Sequence, residues 1–316
     1  MRIIQTWHDL AAQDRGAAVA LGNFDGVHRG HQVVIALART AAQAASAALG
    51  VITFEPHPRQ FFAPSTLPFR LMNSESRAHR LQKLGIERLY ELPFSAELAG
   101  MTAQAFARDV LAQGLGVSHV VVGADFRFGK GRSGGAADLV AMGQTLGFGV
   151  TVADLVADKG TEISSTSIRA ALAQGQPRDA AAMLGHWHRI DGAVNHGEKR
   201  GRLLGFPTAN MALEGLHQPR LGVYAVKVDV LTGPHIGSYH GAASLGTRPM
   251  FGANLPNLET YLFDFDGDLY GEHLSVALVD YLRPELKFDD LPALIARMDD
   301  DCARARAILD DSQGGA

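Results

Sequence analysis

Cysteine is all but missing from this chain of 316 residues: Cys302 stands alone. A single thiol excludes an internal disulfide and fits a reducing compartment, so a cytoplasmic protein is expected. No apolar run approaches the roughly 20 residues that span a bilayer. Residues 1–10 have neither the apolar core nor the small-residue cleavage site of a signal peptide, and no membrane partner is expected. Long basic runs are missing as well, and a net charge of −4 gives a nucleic-acid partner little support. There are no internal repeats and no low-complexity segment. What remains is 47% hydrophobic and 20% charged, an ordinary globular composition long enough for about two domains with their own cores.

The chain is organised around Gly22-Asn23-Phe24-Asp25-Gly26-Val27-His28-Arg29-Gly30-His31. An apolar run over 17–21 leads in as a buried strand; a helix leaves over 32–39, with Gly50 beyond it as a stop signal. The stretch is neither a Gly-x-Gly-x-x-Gly fingerprint nor a P-loop. Its glycines let backbone approach a ligand where a strand turns into a helix. The N–H groups of a helix start lack partners and sit at the positive end of its dipole, so phosphate is the expected guest. His28 and His31, three apart, share one side of the first turn. Two surface histidines on a glycine-rich turn compete with this reading, whereas zinc lacks a third ligand nearby. The residues resemble the His-x-Gly-His signature of nucleotidyltransferases, which transfer a nucleotidyl group from a nucleoside triphosphate with loss of pyrophosphate.

To about residue 160, strand-like runs (50–54, 86–92, 118–122, 149–155) alternate with helix-like ones (75–84, 103–113, 136–146). This predicts a parallel sheet with helices on its faces and ligands outside the carboxyl ends of its strands. Three further stretches follow such ends. Phe54-Glu55-Pro56-His57-Pro58-Arg59-Gln60-Phe61-Phe62 reads equally as a rigid loop over core aromatics or as a wall for a flat ring. Asp125, Phe126 and Phe128 lie with glycines and three cations in 123–132, a suitable lining for a phosphorylated aromatic ligand. Ile163-Ser164-Ser165-Thr166-Ser167-Ile168-Arg169 opens a helix to about 174, capped by Ser164, Ser165 or Thr166. Arg169 in its first turn opposes the helix dipole, a conflict that a bound triphosphate removes. A short helix over 180–184 closes this half, and the domain boundary is placed at Gly185-His186.

Beyond it, extended runs at 189–194, 222–230, 236–245, 258–265 and 273–282 are separated by turns, which predicts an antiparallel barrel. A helix over 291–309 should pack on it. Gly197, Gly201 and Gly205 with Lys199, Arg200 and Arg202 make a cationic loop. Thr208 and Asn210 present a hydroxyl and an amide oxygen on one side of an extended segment. Both are neutral hard donors, suited to Mg²⁺ already neutralised by ATP phosphates. Glu259 alternates with apolar residues, as an exposed strand position would. Asp264, Asp266 and Asp268 lack the glutamate that ends a calcium loop and read as a solvated hairpin.

These motifs, with Gly205-Phe206-Pro207-Thr208-Ala209-Asn210, Gly222-Val223-Tyr224 and Leu282-Arg283-Pro284-Glu285-Leu286-Lys287-Phe288, make nearly the whole chain similar to the prokaryotic bifunctional riboflavin kinase/FAD synthetase family. Met250 after Pro249, where the family usually has Thr, and Ala124 before Asp125, where a larger residue is common, depart from its pattern. The resemblance implies a Rossmann-like nucleotidyltransferase domain with a parallel sheet over 1–185. Over 186–316 it implies a riboflavin-kinase-like antiparallel β-barrel with a terminal helix. ATP would phosphorylate riboflavin to FMN in the second, and adenylylate FMN to FAD in the first. Gly22, Asn23, Phe24, Asp25, Gly30, Ser164, Ser165 and Thr166 would hold one ATP; Gly201, Arg202 and Gly205 the other. Phe54, Pro56, Pro58, Phe62, Asp125, Phe126 and Phe128 would bind flavin. His28, His31 and Arg169 would hold the triphosphate and stabilise departing pyrophosphate. Thr208 and Asn210 would place Mg²⁺, and Glu259 would accept the hydroxyl proton.

Overall fold

The computed structural model describes residues 1–154, 157–158, 161–195, 205–250, 253–288 and 290–311. The chain forms two compact units, residues 1–67 with 74–164, and residues 68–73 with 165–316.

In the first unit the strands are β1 (Arg2–Ile4), β2 (Ala18–Leu21), β3 (Leu49–Glu55), β4 (Arg88–Pro93), β5 (His119–Gly123) and β8 (Gly149–Ala153). They form one sheet in the order β1-β4-β3-β2-β5-β8, with every pairing parallel. Two short hairpins, β6 (Arg127–Phe128) with β7 (Gly134–Gly135) and β9 (Ala157–Asp158) with β10 (Thr161–Glu162), lie outside that sheet. β2 is buried at all four positions, as a strand covered on both faces must be. Its neighbours are β3 on one side and β5 on the other, so the order reverses beside it and leaves a crevice at the carboxyl ends.

Helix α1 (Arg29–Ala44) buries Val34, Ile35, Ala38 and Ala42, one face of a helical repeat. Gly50 is not its stop signal: α1 ends earlier, and Gly50 lies inside β3. A Cβ there would come within 2.9 Å of Val19, so Gly50 serves close strand packing. Pro58–Phe62 is a short helix, α2, capped by His57; α3 (Ser74–Lys83) and α4 (Ala96–Gly100) follow. The helix expected over 103–113 starts as α5 (Ala103–Ala105) and widens into a π-helix over Phe106–Gly114. Its last turn is closed by the Leu115 N–H bonding the Val110 carbonyl at 2.8 Å. Over so short a run the two helix types bury nearly the same positions, so the apolar pattern does not separate them. α6 (Ala136–Leu146) packs against β8 and the π-helix.

The second unit holds α7 (Ser165–Ala173), α8 (Pro177–Leu184) and the strands β11 (Arg189–Ala193), β12 (Thr208–Ala212), β13 (Gly222–Val230), β14 (Gly237–Met250), β15 (Ala253–Leu262) and β16 (His273–Arg283). Their order is β11-β16-β13-β14-β15-β12, and each pairing is antiparallel. One backbone bridge, Asn195 N–H to the Asn210 carbonyl at 2.8 Å, joins the two ends into a nearly closed barrel. The run expected over 258–265 is strand only to Leu262. The chain turns at Asp264, whose φ of 55° ends the extended conformation. Met211, Tyr224, Leu245, Leu258 and Leu274 fill the interior. The terminal helix α9 (Leu291–Asp311) packs outside, setting Ala305 and Leu309 against Val223, Val279 and Leu282.

Candidate active sites

In the first unit the Gly22–His31 stretch leaves β2 at the crevice. His28 is the N-cap of α1; its Nδ1 accepts the His31 N–H at 3.3 Å. The cap therefore comes from the chain itself, where the sequence left that N–H for a ligand. The two imidazoles stack with centroids 3.6 Å apart and planes 18° apart, and Phe24 flanks His31 at 5.0 Å. A Cβ on Gly30 would sit 3.1 Å from the His28 ring, so glycine makes room for the stack. Burial, and then His28 beside it, hold the His31 imidazole well below its ordinary value. It is neutral at pH 7, and its buried Nδ1 has no hydrogen-bond partner among the described residues. Such an orphan costs roughly 1–3 kcal/mol, and a phosphate oxygen would satisfy the nitrogen when it carries the proton. Asp25 is buried and Asn23 exposed; the Thr53 hydroxyl bonds the Asn23 carbonyl at 3.1 Å. Gly22 precedes them, and Ser164 ends this unit.

The aromatic stretches after β3 and β5 are joined. Phe62 meets Phe94 at 5.7 Å, Phe94 meets Phe54 at 5.8 Å, and Phe54 meets Phe106 at 6.4 Å. Phe106 touches Phe128 at 5.8 Å, which stacks on Phe126 at 5.6 Å. Phe128 is buried and backs the half-exposed Phe126, while Asp125 is exposed beside them. Pro56 and Pro58 lead into α2, whose last residue is Phe62. Phe94 and Phe106, which complete this chain of rings, escaped the sequence reading. Phe94 follows β4 as a single aromatic, and Phe106 looks like any apolar position of its helix.

In the second unit, antiparallel register puts Glu259 opposite Asn210 on β12 and opposite Ser244 on β14; Thr208 faces Tyr261. Opposed residues share a face, so Thr208, Asn210 and Glu259 are gathered on one side and Ala209, Met211 and Leu258 on the other. Two cavities reach Thr208, the first on that side and the second lined also by Ala209 and Leu262 of the opposite face. One, about 270 Å³, is lined by Thr208, Glu259, Phe206, Tyr261 and residues of α9. The other, about 600 Å³, is lined by Thr208, Asn210, Asp266, Asp268 and Tyr270. Thr208 belongs to both walls. The Asn257 amide donates to Asn210 Oδ1 at 3.2 Å, which orients that oxygen and leaves it a second lone pair.

The hydroxyl and amide oxygens fit a hard divalent cation. Among the described residues no cluster of three or more His, Cys, Asp or Glu forms a metal cage. That donor set suits an ion that arrives with phosphate and keeps most of its own ligands. Asp264 is exposed and clamped by Arg306 at 2.7 and 2.9 Å; Asp266 and Asp268 are exposed too.

Leu294, Met298, Asp301 and Cys302 of α9 line the smaller cavity, and the sequence reading assigned none of them to a site. Asp301 is buried and ion-paired with Arg283 at 2.6 Å, pinning α9 to β16. The place of Asp301 within the apolar stripe of Leu294, Met298, Ala305 and Leu309 was the available signal. Burial, then the Asp301 and Asp299 carboxylates, push the Cys302 thiol up to about 11, so it stays protonated and inert.

Ser165, Thr166 and Arg169 fall in the second unit, with α7 starting at Ser165. Arg169 donates to the Phe69 carbonyl and to the Thr166 hydroxyl, each at 3.4 Å, and its own carbonyl is bonded by His217 Nε2 at 3.0 Å. Gly205 is exposed with φ of 85°. Gly201 and Arg202, with Gly197, Lys199 and Arg200, lie outside the described residues.

A family model described as FAD synthetase matches residues 10–167, and one described as riboflavin kinase matches residues 184–309. Families of these two kinds use ATP with a divalent cation. The chain is 40% identical over 309 residues to a bifunctional riboflavin kinase/FMN adenylyltransferase of Pseudomonas fluorescens, covering 98% of each chain. It is 38% identical over 301 residues to the protein of that name in Escherichia coli strain K12, covering 94% of this chain and 95% of that one. Among solved structures it superposes with a TM-score of 0.81 and 32% identity on one from Streptococcus pneumoniae described as a macrolide-efflux protein, covering 95% and 96% of the two chains. The chain belongs to the bifunctional riboflavin kinase/FMN adenylyltransferase family, with a FAD synthetase domain followed by a riboflavin kinase domain.

Proposed function

We propose that the chain performs both reactions of its family with the residues named above, the two activities dividing at Gly185-His186. ATP phosphorylates the ribityl hydroxyl of riboflavin on the barrel, giving FMN and ADP. The FMN phosphate then attacks the α-phosphorus of a second ATP in the N-terminal domain, giving FAD and pyrophosphate. Positioning and charge neutralisation carry both steps, because phosphoryl transition states leave the protein little bond-making. His28, His31 and Arg169 hold the triphosphate with Gly22, Asn23, Phe24, Asp25, Gly30, Ser164, Ser165 and Thr166. Phe54, Pro56, Pro58, Phe62, Asp125, Phe126 and Phe128 form the flavin wall. On the barrel, Gly201, Arg202 and Gly205 meet the ATP phosphates, and Glu259 takes the hydroxyl proton. Thr208 and Asn210 would hold Mg²⁺, which supplies charge neutralisation of the transferred phosphate. The cytoplasm, where ATP is made available and thiols stay reduced, is the inferred compartment.

The observation that carries this reading is the stacked His28–His31 pair at the start of α1, with its orphaned imidazole nitrogen, on a chain whose barrel gathers Thr208, Asn210 and Glu259. The efflux description of the pneumococcal protein is not carried over: no helix among the described residues is long and apolar enough to cross a membrane. Incubation with riboflavin, ATP and Mg²⁺, resolving the flavins over time, tests the proposal. The parent should convert riboflavin to FMN and then FAD. His28→Ala with His31→Ala should accumulate FMN, since each lost contact to transition-state charge costs on the order of 2.7–4 kcal/mol by analogy with oxyanion donors. Undiminished FAD from that variant would make the histidines structural.

A further inference from the structure

Behind the flavin wall lies an ion cluster with no part in the chemistry above. Arg77 of α3 is among the largest fully buried side chains, with 1% of its side chain exposed. One nitrogen, Nη2, bonds two carboxylates: Glu91 Oε1 of β4 at 2.6 Å and Glu55 Oε2 of β3 at 2.9 Å. Glu91 is nearly as buried, at 8%, while Glu55 keeps 34% of its side chain exposed. Arg77 Nε and Nη1 are buried without a hydrogen-bond partner among the described residues. As a stabilising device this is poor: the N–H groups of two nitrogens are wasted, and replacing buried ion pairs by apolar groups is often neutral or favourable.

Its geometry has another use. In the parallel ladder Thr53 faces Glu91 and Glu55 faces Pro93, so both glutamates lie on one face of the sheet. Phe54, between Thr53 and Glu55, points to the opposite face, where it meets Phe94 and Phe106. A slip of β3 by one residue would exchange the carboxylate for the ring. Glu55 is also the last residue of β3, its carbonyl bonded by the Phe94 N–H at 2.9 Å, and Pro56, Pro58 and Phe62 follow directly. A buried guanidinium that needs both carboxylates therefore fixes the register and exit of the strand that carries the wall.

We propose that Arg77 is a positioning residue for FMN in the adenylyltransferase reaction, acting through Glu55 on the wall formed by residues 54–62. This rests on the reading of that wall as the flavin site. Four variants of the full-length chain test it: Arg77→Met, Arg77→Met with Glu91→Met, Glu55→Ala, and Phe62→Ala as a probe of the wall itself. For each, the KM for FMN and for ATP and the kcat of FAD formation are measured. Riboflavin phosphorylation by the same chain and the unfolding midpoint serve as controls.

Arg77→Met should lower the midpoint and raise the KM for FMN tenfold or more, with the KM for ATP and the phosphorylation rate within twofold. The paired Met variant should recover the midpoint but keep the raised KM, because the Arg77–Glu55 contact is still missing. A merely structural ion pair would recover both together, and that result overturns the proposal. Glu55→Ala, at a partly exposed position, should reproduce the raised KM in a folded chain even if Arg77→Met does not fold; an unchanged KM there also overturns it. If Phe62→Ala raises the KM while the Arg77 and Glu55 variants do not, the positioning role alone fails. If Phe62→Ala leaves it unchanged, the wall reading fails and takes the proposal with it.

Discussion

Glu259 can act as a base or only as an anchor, and chemistry separates the two. Carboxylates, at about 4.3 in model peptides, are far too weak to ionise a free alcohol. Any carboxylate base takes the proton only as the O–P bond forms, and in a loose transition state that transfer is late. Its worth should then fall within the usual 10²–10⁴-fold for general bases. Glu259→Gln should keep riboflavin and ATP affinity within a few-fold while kinase turnover drops by roughly 10²-fold or more. FMN supplied directly should still become FAD at the parental rate. Single-turnover FMN formation decides: a rate within threefold of the parent removes the base role. The sequence made the three-residue spacing of His28 and His31 legible, because one helical turn sets it. It did not reveal that His28 caps the helix, since that depends on a rotamer and on the room left by Gly30. Nor did it reveal that His31 is held neutral, because desolvation is a property of everything packed around the ring.

Elements were legible where one period dominates and opaque where packing overrides it. The parallel sheet followed from alternating strand and helix patterns, and the stretches at 22–31, 54–62 and 123–132 do leave the carboxyl ends of β2, β3 and β5, whereas Ile163–Arg169 follows the β9–β10 hairpin outside that sheet. Gly50 misled because glycine both ends helices and permits close strand packing, and only the Val19 contact distinguishes the two. The π-helix over Phe106–Gly114 was hidden for the reason already given, and with it the role of Phe106 in the ring chain. For α9 the helix was legible but not its task, since a pairing between Arg283 and Asp301 joins residues far apart in the chain. That pair gives a test. Asp301→Asn leaves the Arg283 charge buried with no carboxylate at 2.6 Å to balance it, and such a break costs about 3–5 kcal/mol. With the smaller cavity read as the riboflavin pocket, a lower unfolding midpoint and weaker riboflavin binding are expected, read by calorimetry and flavin titration, with FMN adenylylation unaffected. Parental riboflavin affinity would show that α9 covers the cavity without shaping it.

On the scale of the whole molecule, the two activities should be separable. Every kinase residue assigned above lies beyond residue 200, yet α7, α8 and residues 68–73 group with the barrel in one compact unit. Within that unit His217 Nε2 bonds the Arg169 carbonyl at 3.0 Å and Arg178 pairs with Asp280 at 2.8 Å. A fragment of residues 186–316 should therefore still make FMN but unfold at a lower temperature than one of residues 165–316. Product analysis and thermal unfolding of both check this. A folded 186–316 fragment that binds riboflavin and ATP yet makes no FMN would mean that the boundary is misplaced. Thr208 has a consequence for the design of inhibitors. Because it forms part of the wall of both cavities, a flat-ring fragment in one and a nucleotide-like fragment in the other need only a short connector past a single threonine. Tethering them makes the second association intramolecular, at an effective concentration on the order of millimolar for a short flexible linker. Two weak fragments would then add up to one tight compound, provided the linker leaves room for the threonine's methyl group.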